Sequence, residues 1–264
     1  MSRKYLPTMR KRQKFVITSF ILTASILAIQ LAPLEWRYGL IFFLTCIAGF
    51  FSCWSLREGL SGIEWFMIPA PVVLFTAGMG FFFILLPNYW LWRGLVLILF
   101  AVGQYALLLT GNIFSVAAIR TIALFRAALT VGFVMTLVVG FLLYNTILSF
   151  RLPFWANGSI VAVVSFLLLM PSLWAVELQE KLTTRIIAFS FFLAVMVGIL
   201  AMAIAFWPIS LPVASIFLTT VLYVFLGLSQ NHFSGRLFAK TIWEYVTIGM
   251  VVLITMLFTA GWGG

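Results

Sequence analysis

Long apolar runs broken by isolated charges make up almost the whole chain. Between successive Lys, Arg and Glu residues lie uncharged stretches at 15–34, 38–56, 65–92, 94–119, 127–150, 152–176, 186–235 and 245–264. Each is long enough for a bilayer core of ~30 Å, which an α-helix crosses in about 20 residues at ~1.5 Å per residue. The run 186–235 is too long for one crossing. Pro208 and Pro212 divide it, because proline lacks a helical N–H and disfavours helix in the residue before it. The pattern therefore predicts nine spans, at about 15–33, 38–56, 65–86, 94–110, 127–149, 159–176, 186–207, 211–228 and 241–262. The expected fold class is all-α, a polytopic transmembrane helical bundle. Residues 1–14 form a basic N-terminal segment and 15–262 a single membrane domain.

The charges between the spans set an orientation. With the N-terminus in the cytoplasm, the inner gaps hold Arg3, Lys4, Arg10, Lys11, Arg12, Lys14, Arg57, Arg120, Arg126, Lys181, Arg185, Arg236 and Lys240. The outer gaps hold only Arg37, Arg93 and Arg151. Thirteen against three is a strong positive-inside bias, and it places the C-terminus outside. The first apolar run lacks a clean small-residue cleavage site, so it reads as an uncleaved first span rather than a signal peptide.

Composition agrees with a membrane protein: 64% of residues are hydrophobic and 8% charged, against roughly a quarter charged in soluble domains. The net charge of +10 does not point to nucleic acid, because six of the sixteen basic residues fall in the first fourteen positions. No basic helix or aromatic-interleaved sheet follows them. Anionic lipid headgroups are the expected partner of this charge, on the cytoplasmic side. Cys46 and Cys53 lie seven apart on one expected helix, about 10 Å between Cα atoms, which is beyond disulfide reach. Two buried structural thiols are expected.

Two outer gaps are aromatic. Pro87–Arg93 contains Tyr89, Trp90 and Trp92, and Arg151–Ser159 contains Phe154 and Trp155, with Trp36 and Trp207 at similar depth. Such rings settle at headgroup level as interface anchors. Asn157-Gly158-Ser159 matches a glycosylation sequon. The inner gap Asn112–Arg126 is apolar apart from its arginines; joined to the next span it would make a helix of ~57 Å, longer than the membrane is thick. It is expected to lie partly along the interface, with Arg120 and Arg126 at the headgroups.

Catalysis needs a placed nucleophile, base or metal, and the inventory is thin. There is no Asp and a single His, which excludes His-rich metal sites and HExxH zincins. No catalytic residue, metal site or cofactor is expected, although a Glu/Arg or Ser/Lys site stays open. The charges that do cluster are His232, Arg236, Lys240 and Glu244, at steps of four, which on one helix form a polar stripe leading into the last span. Glu177 and Lys181 make another pair at that step, with Arg185 one further step along. A solvated face is the plain interpretation of both; a pocket for a lipid phosphate or an acidic partner segment is the functional one. Within the bilayer, Gln104 is the most polar central group and is expected to make an interhelical hydrogen bond. Ala194, Gly198, Ala201 and Ala205 offer a small-residue face for close helix approach. A weak echo relates Trp65-x2-Ile68-x2-Pro71-Val72 to Trp207-x-Ile209-x2-Pro212-Val213, on spans of opposite direction.

The stretches Asn112–Ala128 (NIFSVAAIRTIALFRAA) and Ser229–Val246 (SQNHFSGRLFAKTIWEYV) resemble segments of an uncharacterised family of bacterial polytopic membrane proteins. The resemblance covers mainly the C-terminal half. It implies a bacterial inner (plasma) membrane and carries no activity or catalytic residue. The leading expectation is a non-enzymatic scaffold or accessory subunit that engages lipid, or a membrane protein partner, through its basic cytoplasmic face. A permease or lipid flippase is the second, and a membrane enzyme acting on lipid-linked substrates the third.

Overall fold

The computed structural model describes residues 11–86, 89–117, 123–179 and 181–261. Among these residues the chain is all helix and loop. Its elements are α1 (Lys11–Ile29), α2 (Leu34–Leu56), α3 (Glu64–Met67), α4 (Pro69–Leu85), α5 (Trp90–Ala117), α6 (Phe125–Ser149), α7 (Phe154–Glu177), α8 (Thr184–Ile204), α9 (Leu211–Phe233) and α10 (Ala239–Thr259). With α3 and α4 taken as one broken span, nine described helices are long and apolar enough to cross a membrane. The protein is a multi-pass integral membrane protein.

Proline and positive-φ residues punctuate the helices where the backbone requires it. Pro33 and Pro153 sit immediately before α2 and α7, while Pro69 and Pro212 occupy the first turns of α4 and α9. There a missing N–H costs nothing, because the first-turn donors have no partner within the helix. At its far end α7 stops at Leu178, with φ 48°. α9 stops at Gly235, with φ 65°, where the Arg236 N–H reaches back to the Asn231 carbonyl at 2.9 Å and the Gly235 N–H to His232 at 3.1 Å. That pair of bonds is a Schellman motif.

α4 and α6 form the centre. α4 packs on α2, α5, α6 and α7, and α6 on α5, α7 and α9; α1 lies against α2 and α5. α7 and α8 make the most intimate pair, through small residues. A Cβ on Gly198 would stand 2.7 Å from the Gly158 carbonyl oxygen, so the two backbones touch there. Ala194, Gly198 and Ala201 of the small-residue face are thus buried inside the molecule, whereas Ala205 lies past the end of α8 and is exposed. α10 rests mainly on α9, with Met256 as its one fully buried residue.

Several polar groups in the core pair across helices. The Gln104 amide nitrogen on α5 donates to the Thr76 hydroxyl on α4, Tyr144 bonds Ser165 at 2.7 Å, and Thr136 bonds Ser172 at 2.7 Å. The expected interhelical bond of Gln104 is therefore present.

Several expectations need correction. α5 and α7 begin earlier than expected, so Trp90, Trp92, Phe154 and Trp155 lie in first helical turns rather than loops, exposed at the bundle end. As far as it is described, the segment after Asn112 first prolongs the preceding helix rather than leaving it. α5 continues to Ala117, giving a helix of about 42 Å, held at its end by a hydrogen bond from the Ser115 hydroxyl to the Gly59 carbonyl. The asparagine of the sequon is buried: Asn157 is 5% exposed inside α7 and its amide donates to Leu152 O. Cys46 faces outward and Cys53 is half-buried, so neither is a fully buried core thiol. The tryptophan–proline echo does not correspond structurally, because Trp65 is helical whereas Trp207 lies in the loop before α9.

Candidate functional site

The gaps expected on one side of the membrane meet at one end of the bundle. There the Lys14 ammonium on α1 bonds the Glu58 carboxylate beyond α2 at 2.5 Å. Gln230, near the end of α9, donates to the Ser172 carbonyl on α7 at 3.1 Å. Trp174 donates to the Gln179 carbonyl at 3.0 Å and so fastens the α7–α8 connection. Hydrogen bonding to Lys14 holds the Glu58 carboxyl below its ordinary range, with the nearby charges of Lys11 and Arg57 adding to the effect. This end carries most of the basic residues and is called the basic end below.

Its best-formed cluster is built around Arg185, in the first turn of α8. The guanidinium bonds the His232 ring at the end of α9, Nη2 to Nε2, at 2.6 Å. A guanidinium only donates, so in this contact Nε2 is the acceptor. Two phenylalanines fix the arginine in place: its Cζ lies 4.8 Å from the Phe233 ring centre and 5.8 Å from that of Phe189. The His232 ring in turn stacks on Phe189, at 5.8 Å and 15°. One guanidinium nitrogen is engaged by the protein, while Arg185 stays exposed. Held against rings with donors to spare, such a fork suits a phosphate or carboxylate.

The four-residue stripe does not exist as one helical face. The Schellman turn at Gly235 separates its members: His232 ends α9, Arg236 lies in the turn, and Lys240 and Glu244 begin α10. The glycine adopts a left-handed conformation that continues neither helix. Glu177 and Lys181 are parted in the same way by Leu178. Arg126, in the first turn of α6, Arg236 and Lys240 are all exposed and make no ion pair with a described residue. Arg120 lies outside the described residues. Gln104 belongs to the core and has no part in the basic end.

A small cavity lies just inside the basic end. Thr110, Thr136, Ser172 and Gln230 supply its polar wall, beside Pro71 and Pro171. Measured as room for the centre of a water molecule it holds about 30 Å³, enough for about two or three waters, since each needs ~10–15 Å³ on this measure. Among the described residues no group of His, Cys, Asp and Glu is gathered for a metal.

The sequence showed Arg185 only as an inner-gap charge one step of four beyond Lys181, and its cluster stayed hidden. Its spacing to Phe189 is visible as one helical step, but His232 is 47 residues away along the chain. Only the packing of α8 beside α9 brings them together.

No curated protein and no solved structure matches this chain. The model of a family described as proteins of unknown function, DUF5656, matches residues 39–259, every described span except α1 and the first turn of α2. The chain belongs to the DUF5656 family.

Proposed function

We propose that the protein is a non-enzymatic membrane component, a scaffold or accessory subunit, that engages anionic lipid headgroups through its basic end, with that end facing the cytoplasm. The carrying observation is the Arg185 cluster: an exposed guanidinium prearranged by Phe233, Phe189 and His232. Arg126, Arg236 and Lys240 surround the same end of the bundle with unpaired positive charge. A bacterial inner membrane, rich in anionic lipid on its cytoplasmic face, would give this charge its ligand.

The test is lipid retention. Purified protein is titrated with phosphatidylglycerol, and bound lipid is counted by native mass spectrometry for the wild type and for Arg185→Gln, Arg126→Gln and Arg236→Gln. Each juxtamembrane cation contributes ~1 kcal/mol, so each single variant should lose about fivefold and Arg185→Gln the most. Equal retention by all four proteins would reduce these residues to orientation charges and remove the lipid reading.

A further inference from the structure

The opposite end of the bundle holds the larger opening, a cavity of about 410 Å³ between the α6–α7 turn and the α8–α9 loop. Its wall is mostly apolar, with Phe154, Phe206 and Trp207 among its residues, and includes two polar side chains, Arg151 and Asn157. Arg151 is exposed and makes no ion pair with a described residue. Its backbone is held at φ 50°, a left-handed conformation that costs a non-glycine residue about 1 kcal/mol or more.

Asn157 supplies the second, independent observation. It is 5% exposed, and its amide nitrogen is committed to the Leu152 carbonyl at 3.0 Å, which fixes the orientation of the amide. Its Oδ1 is left buried without a hydrogen-bond partner among the described residues. A buried acceptor with no donor costs about 1–3 kcal/mol and calls for a ligand donor. The first residues of α7 and α9, Phe154 and Leu211, both line the opening, so two helix N-termini add positive potential beside the guanidinium.

We propose that this cavity binds a phospholipid headgroup in which a phosphodiester stands next to an N–H or O–H donor. The phosphate meets Arg151 and the two helix N-termini. The donor reaches Asn157 Oδ1, and the glycerol and upper chains lie along the aromatic wall. Phosphatidylethanolamine has this chemistry and phosphatidylcholine, fully methylated, lacks the donor. The site is at the other end of the molecule from the Arg185 cluster and stands without it.

The experiment titrates the full-length protein in detergent with phosphatidylethanolamine or phosphatidylcholine of identical chains, and counts retained lipid by native mass spectrometry. Phosphatidylethanolamine should be retained about tenfold better, the size of one hydrogen bond to a buried acceptor. Arg151→Gly should lose about tenfold of that retention. Because glycine relaxes the backbone at this φ, its thermal midpoint should not fall, so unfolding cannot imitate the loss. Arg185→Gln should leave this preference intact. Equal retention of the two lipids would overturn the donor contact with Asn157. Undiminished binding by Arg151→Gly would overturn the phosphate site.

Discussion

Lys14 shows how a single residue joins the N-terminal helix to the rest of the basic end. It is 7% exposed, and its ammonium bonds Glu58 while lying 5.7 Å from the Trp54 ring centre. The Glu58 side chain is 43% exposed, so water screens the pair and its worth is about 1 kcal/mol or less. The Glu58 carboxyl is held below its ordinary value of 4.5, chiefly by the hydrogen bond from Lys14. A depressed carboxyl contributes stability that is complete above its unfolded value and disappears as pH falls through the lower, folded one. Thermal midpoints of wild type and Glu58→Gln should therefore differ by a constant amount from pH 7 down to about pH 5, and converge at more acidic pH. A constant difference at all pH values would show that the charge of Glu58 is not what matters. Gln104 obeys a different logic. Its amide nitrogen donates to Thr76, but its Oε1 is buried without a partner. Gln104→Leu removes the bond and the orphan acceptor together and should cost under about 1 kcal/mol, whereas Thr76→Val strands a buried donor and should cost about 1–3 kcal/mol. Unfolding in detergent measures both, and the opposite ranking would refute the argument. Neither partner of Gln104 nor the pairing of Lys14 could be read from the chain, because |i−j| is 28 in one case and 44 in the other.

At the scale of the element, the α7–α8 pair carries the clearest consequence. Gly158 and Gly198 face each other with backbone against backbone, so neither neighbour can yield to a new side chain. Gly198→Val should destabilise by about 1–3 kcal/mol or more through overpacking. Gly94 on α5 is the control: a Cβ there meets nothing within 4 Å, and Gly94→Ala should be neutral or stabilising by about 0.5–1 kcal/mol. If the two variants melt alike, close approach does not hold this pair together. The spacing of Ala194, Gly198 and Ala201 announced a small-residue face; that the partner is α7 of the same chain, rather than another molecule, required the structure. The polar stripe failed at this scale for a local reason. A step of four makes a stripe only on an unbroken helix, and Gly235 at φ 65° breaks this one. A glycine between His232 and Arg236 was the available signal, since glycine is the usual residue at a left-handed helix end.

For the whole molecule, nine antiparallel crossings imply that the α7–α8 connection and the C-terminus lie on opposite sides of the membrane. A reporter fused within 177–185 should read cytoplasmic and one fused at the C-terminus should read external. Both on one side would undo the count of spans, most directly by removing the division of 186–228 into α8 and α9. The contacts already gather the loops in two sets. Lys14 with Glu58, Arg185 with His232, and Gln230 with Ser172 belong to the basic end. Arg37, whose guanidinium donates to the Gln30 and Ala32 carbonyls just past α1, belongs to the other. Arg37 is thereby more than an orientation charge: it satisfies carbonyls at a helix C-terminus, where a cation is favoured.

What the sequence determined by itself is the class of protein, the number of spans and the sorting of charge between the ends. These follow from the transfer of apolar side chains and backbone out of water, which depends on local composition over about 20 residues. Helix ends were less legible where the chain stays apolar beyond the membrane: α5 runs to Ala117 because Ser115 finds the Gly59 carbonyl, a contact across 56 positions. Which face of each helix meets which neighbour was decided only in three dimensions. In a chain this apolar nearly every face is equally greasy, so pattern cannot choose the inward one; shape and scattered hydrogen bonds do. The two candidate lipid sites belong to that second category. Arg185 and Arg151 were visible as charges in gaps, but the rings of Phe189 and Phe233 around one, and the cavity with Asn157 beside the other, exist only because distant helices pack together.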